Sequence, residues 1–529
     1  MQDFSFNLST LDISVICIYF VVVVAAGMLL AGKSENTEEY FLAGRKMTWP
    51  LIGFSLIASQ ISTTSMVGLA GDAYAVGISI YSYEWMAVVL LVIFAIFIIP
   101  IILRAQIYTM PEFLEKRFCH ISRTYFATIT LFLNIVIDTA GSLFAGALVI
   151  NLVFPDVPLW QSIAILAFFA GLYTVFGGLR AVIFTDVFQA VLLFGASIVI
   201  TIFAYDKVGG WDAIMAGVPA EKMSLYRPMD DKALPWLGIF TGIPILGFYF
   251  WCTNQFMVQR ILSAKDIHHA RWASLLAGLL KVPMIFIMIL PGSAAILLYP
   301  ALDRPDLVFP VLMFDLLPAG ILGLVMAGFL AALMSQIDST LNAASTIITM
   351  DFVRPHRPKL TSKQLLVVGR VVTVIFMLLA VAWAPQIEKF PSLFRYLQNV
   401  LAYAVPPVVV LFLGGILWKR GNATGAKACI AAGIAVAIAM FVAIEIMGIM
   451  SLHFLLVAPI ILAVSLVAFV AGSLASPAPS PEQYADMIWT PKLWQKETAE
   501  LAAKPAWTNY RFLSVALLTL QISIVVYFW

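Results

Sequence analysis

Long apolar stretches alternate with short polar loops along the whole chain. About 20 consecutive apolar residues cross a hydrocarbon core of roughly 30 Å. On that measure the pattern predicts spans near 10 to 32, 48 to 75, 78 to 103, 123 to 153, 159 to 179, 182 to 205, 236 to 256, 272 to 299, 318 to 351, 363 to 385, 397 to 418, 425 to 449, 452 to 474 and 509 to 528. The chain therefore reads as an all-α polytopic membrane protein of about 14 transmembrane helices, with both termini on one side. No basic segment precedes the first span, so it is expected to be a retained helix rather than a cleaved signal. The longest loops, about 206 to 235 and 475 to 508, hold too few apolar residues for a soluble core; the second opens with Ser476-Pro-Ala-Pro-Ser-Pro481.

Composition agrees with lipid as the main solvent: of 529 residues, 62% are apolar and only 11% charged, against about 25% charged in soluble domains. A net charge of +2 lacks the basic excess that nucleic-acid binding needs. Cys17, Cys119, Cys252 and Cys429 show neither a disulfide framework nor zinc spacing. Of the 31 Lys and Arg, 22 fall in the loops on one side of the predicted membrane, from Lys33 to Arg511, and 7 in the loops on the other, from Lys207 to Arg395. Positive loops stay in the cytoplasm, so both termini are expected outside a plasma (inner) membrane.

A bilayer tolerates broken helices and buried charges only where they line a cavity or are bound by something. The second span carries Ser59-Gln-Ile-Ser-Thr-Thr-Ser65 at mid-depth, with Gly68 and Gly71 beyond it. The seventh carries Gly242, Pro244 and Gly247 before Trp251-Cys-Thr-Asn-Gln255. Interruptions five spans apart predict an inverted-repeat (5+5) core with two discontinuous helices and a site at the midplane. That divides the chain into a leading segment 1–47, a transport core 48–420 (repeats of about 48–206 and 236–418) and three peripheral helices in 421–529.

Glu84, Asp138, Asp186, Lys281 and Asp338 lie inside or close to spans, each at an insertion cost on the order of 3 kcal/mol near a helix centre. They must be paired, hydrated or bound; Glu84 and Asp186 lie near enough to the surfaces for hydration, and for Asp138 a structural pairing is the simpler reading. In the ninth span, Ala331-Ala-Leu-Met-Ser-Gln-Ile-Asp-Ser-Thr-Leu-Asn342, positions 335, 338, 339 and 342 share one face. Such a row of oxygen groups suits either a small monovalent cation or a polar seam between helices.

Several segments in this order resemble the solute:sodium symporter superfamily, specifically its sodium/glucose cotransporter branch. They are Glu39-Tyr-Phe-Leu-Ala-Gly44, Tyr83-Glu-Trp85, Tyr108-Thr-Met-Pro-Glu-Phe-Leu-Glu-Lys-Arg-Phe118, Gly177-Gly178 with Thr185-Asp-Val-Phe-Gln189, Trp251 to Arg260, Ser335 to Asp351, and Leu417-Trp-Lys-Arg420. The resemblance implies sodium-coupled symport of a sugar, a hexose such as glucose or galactose, by alternating access. Another small polar solute, such as inositol, another polyol or a small acid, is the alternative.

The resemblance also implies a first sodium site at Ala58, Ile61, Ala332, Ser335 and Gln336, where Gln336 replaces the usual second hydroxyl. A second sodium position would be formed by Asp186, Asp338 and Ser339, and a proton could take the place of that ion. For the solute it points to Glu84, Lys281 and Gln398 as hydrogen-bonding groups, Trp251 as an aromatic floor or gate, and Gln60, Ser65 and Phe250 nearby. Ser65 stands at a Gln or His position, Gly247 at an Asn position and Phe250 at a gating Tyr position. An acceptor carboxylate, a donor ammonium and a two-way amide can read a ring of hydroxyls, while an aromatic face takes the C–H side of a sugar. A sensor would need an output domain larger than the 475 to 508 loop. No triad, metal spacing or nucleotide loop suggests an enzyme, and no segment resembles a channel filter.

Overall fold

The computed structural model describes residues 6–31, 36–231, 233–390, 392–502 and 505–529; Lys33, Lys232 and Lys504, three of the loop charges counted above, fall outside them. Regular structure among the described residues is helical apart from one isolated parallel bridge, Met47 to Ala264. Large apolar side chains such as Val21, Phe168, Val467 and Val526 are exposed around the bundle, a surface that lipid can solvate and water cannot.

The helices that position the site are α1 (Thr10–Ala31), α2 (Trp49–Gln60), α3 (Thr63–Val76), α4 (Ser82–Ile93), α5 (Met110–Arg117), α6 (His120–Leu133), α7 (Leu159–Val208), α8 (Trp236–Phe248), α9 (Gln255–Leu262), α10 (Ile267–Lys281), α11 (Leu290–Leu298), α12 (Ile321–Ile347), α13 (Leu393–Ala404), α14 (Pro406–Leu417) and α15 (Phe454–Leu474). Among the described residues nine helices are long and apolar enough to cross a membrane, or twelve if each of three bent pairs is one span. The expected count of 14 is not reached: Thr10–Val23 and Leu159–Gly171 are apolar but shorter, and the fifth and sixth expected spans lie on the single helix α7.

The predicted break in the second span is present: α2 and α3 meet at 58°. Ile61 leaves the helix with ψ 82°, and Ser62 restarts it as an N-cap whose hydroxyl accepts from the Ser65 N–H. In the seventh span the interruption lies further along than the Gly and Pro residues suggest. Gly242, Pro244 and Gly247 stay inside α8, a π-helical turn follows over Tyr249–Thr253, and the chain becomes extended at Asn254 before α9 begins.

Gly242 has a packing role instead. A Cβ there would stand 2.3 Å from the Leu455 carbonyl of α15. Two interruptions were not anticipated. The α10 helix bends by 45° into the segment that starts at Ile285, and α13 meets α14 at 54°. Both breaks carry proline, Pro283 and Pro406-Pro407, which lacks an N–H and clashes with the preceding turn. The first of these leaves Lys281 in the last turn of α10, where a cation is favoured.

The loops also hold the helix ends together. Arg117, buried, donates Nε, Nη1 and Nη2 to the carbonyls of Gly415, Gly421 and Trp418, each at 2.9 Å, so it caps the C-terminal end of α14. Small residues let the core helices approach closely. A Cβ on Gly292 of α11 would lie 2.1 Å from the Ala70 carbonyl of α3, whereas one on Gly195 of α7 would meet nothing within 4 Å. Gly292→Ala is therefore expected to destabilise the protein by about 1–3 kcal/mol through overpacking. Gly195→Ala should be neutral or stabilising by up to about 1 kcal/mol. Thermal unfolding of the purified variants in detergent checks this, and equal stability of the two would contradict the packing described.

Candidate functional site

The break between α2 and α3 exposes backbone that a continuous helix would satisfy. The Ser62 N–H, which would reach Ala58, donates instead to the Gln60 carbonyl at 2.9 Å. The Ser65 N–H turns to the Ser62 hydroxyl at 3.4 Å, and the Ser65 hydroxyl bonds the Gln60 carbonyl at 2.9 Å. The carbonyls of Ala58 and Ile61 thus lack their helical donors. On α12, Ala332 and Ser335 are fully buried, and the Ser335 hydroxyl donates to Asp186 Oδ1 at 2.5 Å.

Asp186, on α7, sits in a dense polar knot. The Ser55 hydroxyl donates to its Oδ2 at 2.5 Å, and Arg260 of α9 pairs with the same oxygen through Nη2 at 2.9 Å. Arg260 also donates Nε to Ser55 at 2.6 Å, Nη1 to the Phe256 carbonyl at 2.5 Å and Nη2 to the Ser339 hydroxyl. Ser59 and Ser339 share a hydrogen bond of 2.9 Å. Arg260 is 1% exposed and Asp186 0%. A guanidinium therefore stands between Asp186 and Ser339, two of the three residues expected to share a second cation. Asp338, the third, lies near Tyr19 of α1.

Next to the break lies a cavity with about 110 Å³ of space open to the centre of a water molecule, room for several waters or one small polar solute. Gln60, Ser65, Glu84, Phe250, Trp251 and Gln398 all line it. Lys281 stands behind this wall, its ammonium bonded to Glu84 Oε2 and Gln60 Oε1 and 5.4 Å from the centre of the Trp251 ring. The pair is buried, at 1% and 5% side-chain exposure, so Lys281 fixes the two acceptors that face the cavity. Phe250 meets the rings of Trp251 and Phe256 edge-on, at 5.3 and 5.6 Å.

Tyr83 and Phe394, their rings 5.0 Å apart and near perpendicular, close one end of the cavity. Both also line a second cavity of about 150 Å³, whose polar groups include Asp72, Ser392 and Arg395. Elsewhere in the bundle a set of polar contacts ties helix ends together. Met47 N–H bonds the Ser263 carbonyl and Lys265 N–H the Met47 carbonyl, both at 3.0 Å. Gln259 donates to the Phe41 carbonyl at 2.6 Å and to Thr346 at 2.9 Å. Gln255 accepts from the Met110 N–H at 2.8 Å, and Arg123 joins Asp351 to Glu115. Burial alone would raise the Glu115 carboxyl, but hydrogen bonds from His120 and Arg123 and the charge of Arg123 hold it below its ordinary range.

Residues 40–433 match the sodium:solute symporter family. The chain belongs to that family. It is 33% identical to sodium/glucose cotransporter 1 of Oryctolagus cuniculus, across 93% of this chain and 83% of that one. It is 36% identical to sodium/myo-inositol cotransporter 2 of the same organism, across 78% of this chain and 67% of that one. Its fold is similar to that of a Na+-coupled sialic acid symporter in a substrate-bound outward-open state, with a TM-score of 0.77 and 23% identity across 89% of this chain and 99% of that one. As a member of the sodium:solute symporter family the chain is a transporter and an integral protein of the plasma membrane.

For this symporter, the sequence led to the helix break, the polar row on α12 and the cavity groups. It did not lead to Arg260 as a buried cation, nor to Tyr83 and Phe394 as the end wall. Arg260 was counted as a loop charge because it lies just past an apolar run. The only signal to the contrary was its place four residues after Phe256 on an amphipathic turn. Breaking a buried ion pair from one side typically costs about 3–5 kcal/mol, while replacing both partners by neutral groups costs far less. Arg260→Met is therefore expected to lower stability by that amount, and Asp186→Asn combined with Arg260→Met to recover most of it. Denaturant unfolding in micelles measures both, and equal losses would mean that the pairing contributes nothing.

Proposed function

We propose that this protein is a sodium-coupled symporter of a sugar, most directly a hexose such as glucose or galactose, working by alternating access. One observation carries the reading: a helix broken at Ile61, and bonded to α12 through Ser59 and Ser339, adjoins a cavity walled by acceptors that a buried lysine holds in place. The sodium would be held by the carbonyls of Ala58, Ile61 and Ala332, the hydroxyl of Ser335 and the amide oxygen of Gln336. Sodium binds hard oxygen ligands, and two of these carbonyls have lost their helical donors. The sugar hydroxyls would be read by Glu84, Gln60 and Gln398, with Lys281 acting through the first two, Trp251 and Phe250 supplying the apolar face and Ser65 the adjacent rim.

Sodium binding would pin α2 to α12 and favour the state open to the outside; the solute would then close Tyr83 and Phe394 over itself. Release of sodium inward would free the solute, a population shift driven by differential affinity. At 100 mV one charge contributes about 2.3 kcal/mol and a tenfold gradient about 1.4 kcal/mol, so one sodium supports roughly 500-fold accumulation. A second sodium at Asp186, Asp338 and Ser339 would have to compete with the Arg260 guanidinium, which is bonded to both Asp186 and Ser339 and repels a second cation there. This supports one sodium in the state described.

The same reading takes 48–420 as the transport core, with repeats of about 48–206 and 236–418, and 421–529 as peripheral. The excess of Lys and Arg on one side puts both termini outside. Transport without an enzymatic step fits the absence of any nucleophile or nucleotide motif in the sequence. A polyol such as inositol is the second reading, supported by a myo-inositol cotransporter among the relatives and by Gly247 and Ser65, which leave the pocket without two larger polar side chains.

Uptake of labelled hexoses, inositol and small acids into proteoliposomes, with sodium or potassium outside at a set potential, tests the function. Sodium-dependent hexose uptake is expected, and no sodium dependence for any solute would refute it. Lys281→Ala should weaken solute binding roughly 10- to 150-fold, the loss of a charged hydrogen-bond network, and leave sodium affinity within about twofold. Ser335→Ala should weaken sodium binding first. The opposite pattern in paired titrations would overturn the assignment of these sites.

A further inference from the structure

Gln336 occupies a junction between the two sites. Its side chain is 4% exposed and lines the solute cavity, and it belongs to the same turn of α12 as Ala332 and Ser335. Its Nε2 is directed at Asp138 Oδ1, 3.5 Å away. Asp138, in the π-helical turn Asn134–Thr139 after α6, is 8% exposed and also lines the cavity. Oriented to satisfy its hydrogen bonds, Asn134 places its amide nitrogen 3.3 Å from Asp138 Oδ2 and 3.2 Å from the Thr130 carbonyl. Among the described residues no Lys or Arg forms an ion pair with Asp138, in contrast to Glu84 and Asp186.

An ionised carboxylate only accepts hydrogen bonds, while a primary amide has one donating and one accepting end. In the structure Gln336 presents its NH2 to Asp138 Oδ1, which leaves its oxygen for another partner. Among the described residues no group donates to that oxygen. A hydroxyl needs no such orientation, because it rotates to offer a lone pair wherever a cation sits.

We propose that Asp138 is the positioning residue that turns the Gln336 amide, so that its oxygen completes the sodium site in place of a hydroxyl. This rests on the sodium-coupled reading above. Sodium affinity then depends on a residue that does not touch the ion, and it depends on that residue only while position 336 carries an amide. Asp138→Asn offers both a donor and an acceptor, so Gln336 loses its fixed orientation. Gln336→Ser restores a freely rotating hydroxyl and frees the site from Asp138. The loss of negative charge at 138 acts at a distance and is the same with either residue at 336, which separates orientation from field.

The test is a double-mutant cycle on the full chain in detergent, reading binding of radiolabelled sodium, with solute affinity at saturating sodium as the control. In the Gln336 background Asp138→Asn is expected to weaken sodium binding about tenfold or more, the effect of one lost charged interaction. In the Gln336→Ser background the same change is expected to cost less than about threefold, with solute affinity preserved. An equal fold-change in both backgrounds overturns the proposal, as does no change in either. Loss of solute affinity alone also overturns it and makes Asp138 a solute ligand. If Asp138→Asn does not fold, Asp138→Ser in both backgrounds asks the same question. Wild type that binds sodium and loses it with Ser335→Ala, yet shows an additive cycle, sinks only this inference; wild type that binds no sodium sinks the symporter reading with it.

Discussion

A helix interrupted inside a bilayer leaves amides and carbonyls that lipid cannot satisfy, at several kcal/mol for each group. The break at Gln60 to Ser62 meets that constraint from within: Ser62 and Ser65 take up two of the freed groups, while the carbonyls of Ala58 and Ile61 are left without helical donors. Most of the polar architecture is arranged around this point. The cavity opens beside it, Gln60 contributes both its carbonyl and its side chain, and the buried face of α12 packs opposite. Remove the break and the serines of α2, the polar row of α12 and the lysine of α10 would all be polar groups buried without purpose.

Charge follows the same economy of placement. Glu84 has Lys281, and Asp186 has Arg260 together with two serine hydroxyls. Lys281 comes from the last turn of α10, just before the break at Pro283, and Arg260 from the last turn of α9, the short helix that restarts after Asn254. Two broken spans of the second repeat in the proposed division therefore supply cations to carboxylates of the first, Lys281 to Glu84 on α4 and Arg260 to Asp186 on α7. These contacts tie the two halves across the site, so a change in relative tilt must loosen or re-form them together.

The sequence carried the membrane class, the break in the second span and the residues around the cavity because each shows as a polar interruption of an apolar run. It misplaced the interruption in the seventh span. Gly242, Pro244 and Gly247 look like breakers, yet all three stay inside α8, where Gly242 packs against Leu455 of α15 and Gly247 against Leu90 of α4, and the chain turns at Asn254, an ordinary polar residue in a run of them. It overlooked the bends at Pro283 and Pro406 because one proline within a long apolar run is common in transmembrane helices. Arg260 was illegible for another reason. Hydropathy assigns a charge at the end of a run to the loop, and only the fold shows that the α9 segment turns inward and buries it.

The two closures on either side of the cavity differ in kind. Toward Asp72 and Arg395 the cavity is bounded by one aromatic contact, Tyr83 against Phe394, which a side-chain rotation can open. Toward Met47 and Asp351 it is bounded by backbone pairing at Met47, the two hydrogen bonds of Gln259, the Gln255 contact and the buried Arg260 knot. Opening that side needs many bonds to yield at once and therefore a movement of helices. A thin gate on one face and a thick seal on the other means that the two faces open by motions of different size. In the proposed cycle Ser335 bonds Asp186 directly and is also a sodium ligand, so loss of the ion acts first on the residue that joins the site to the seal.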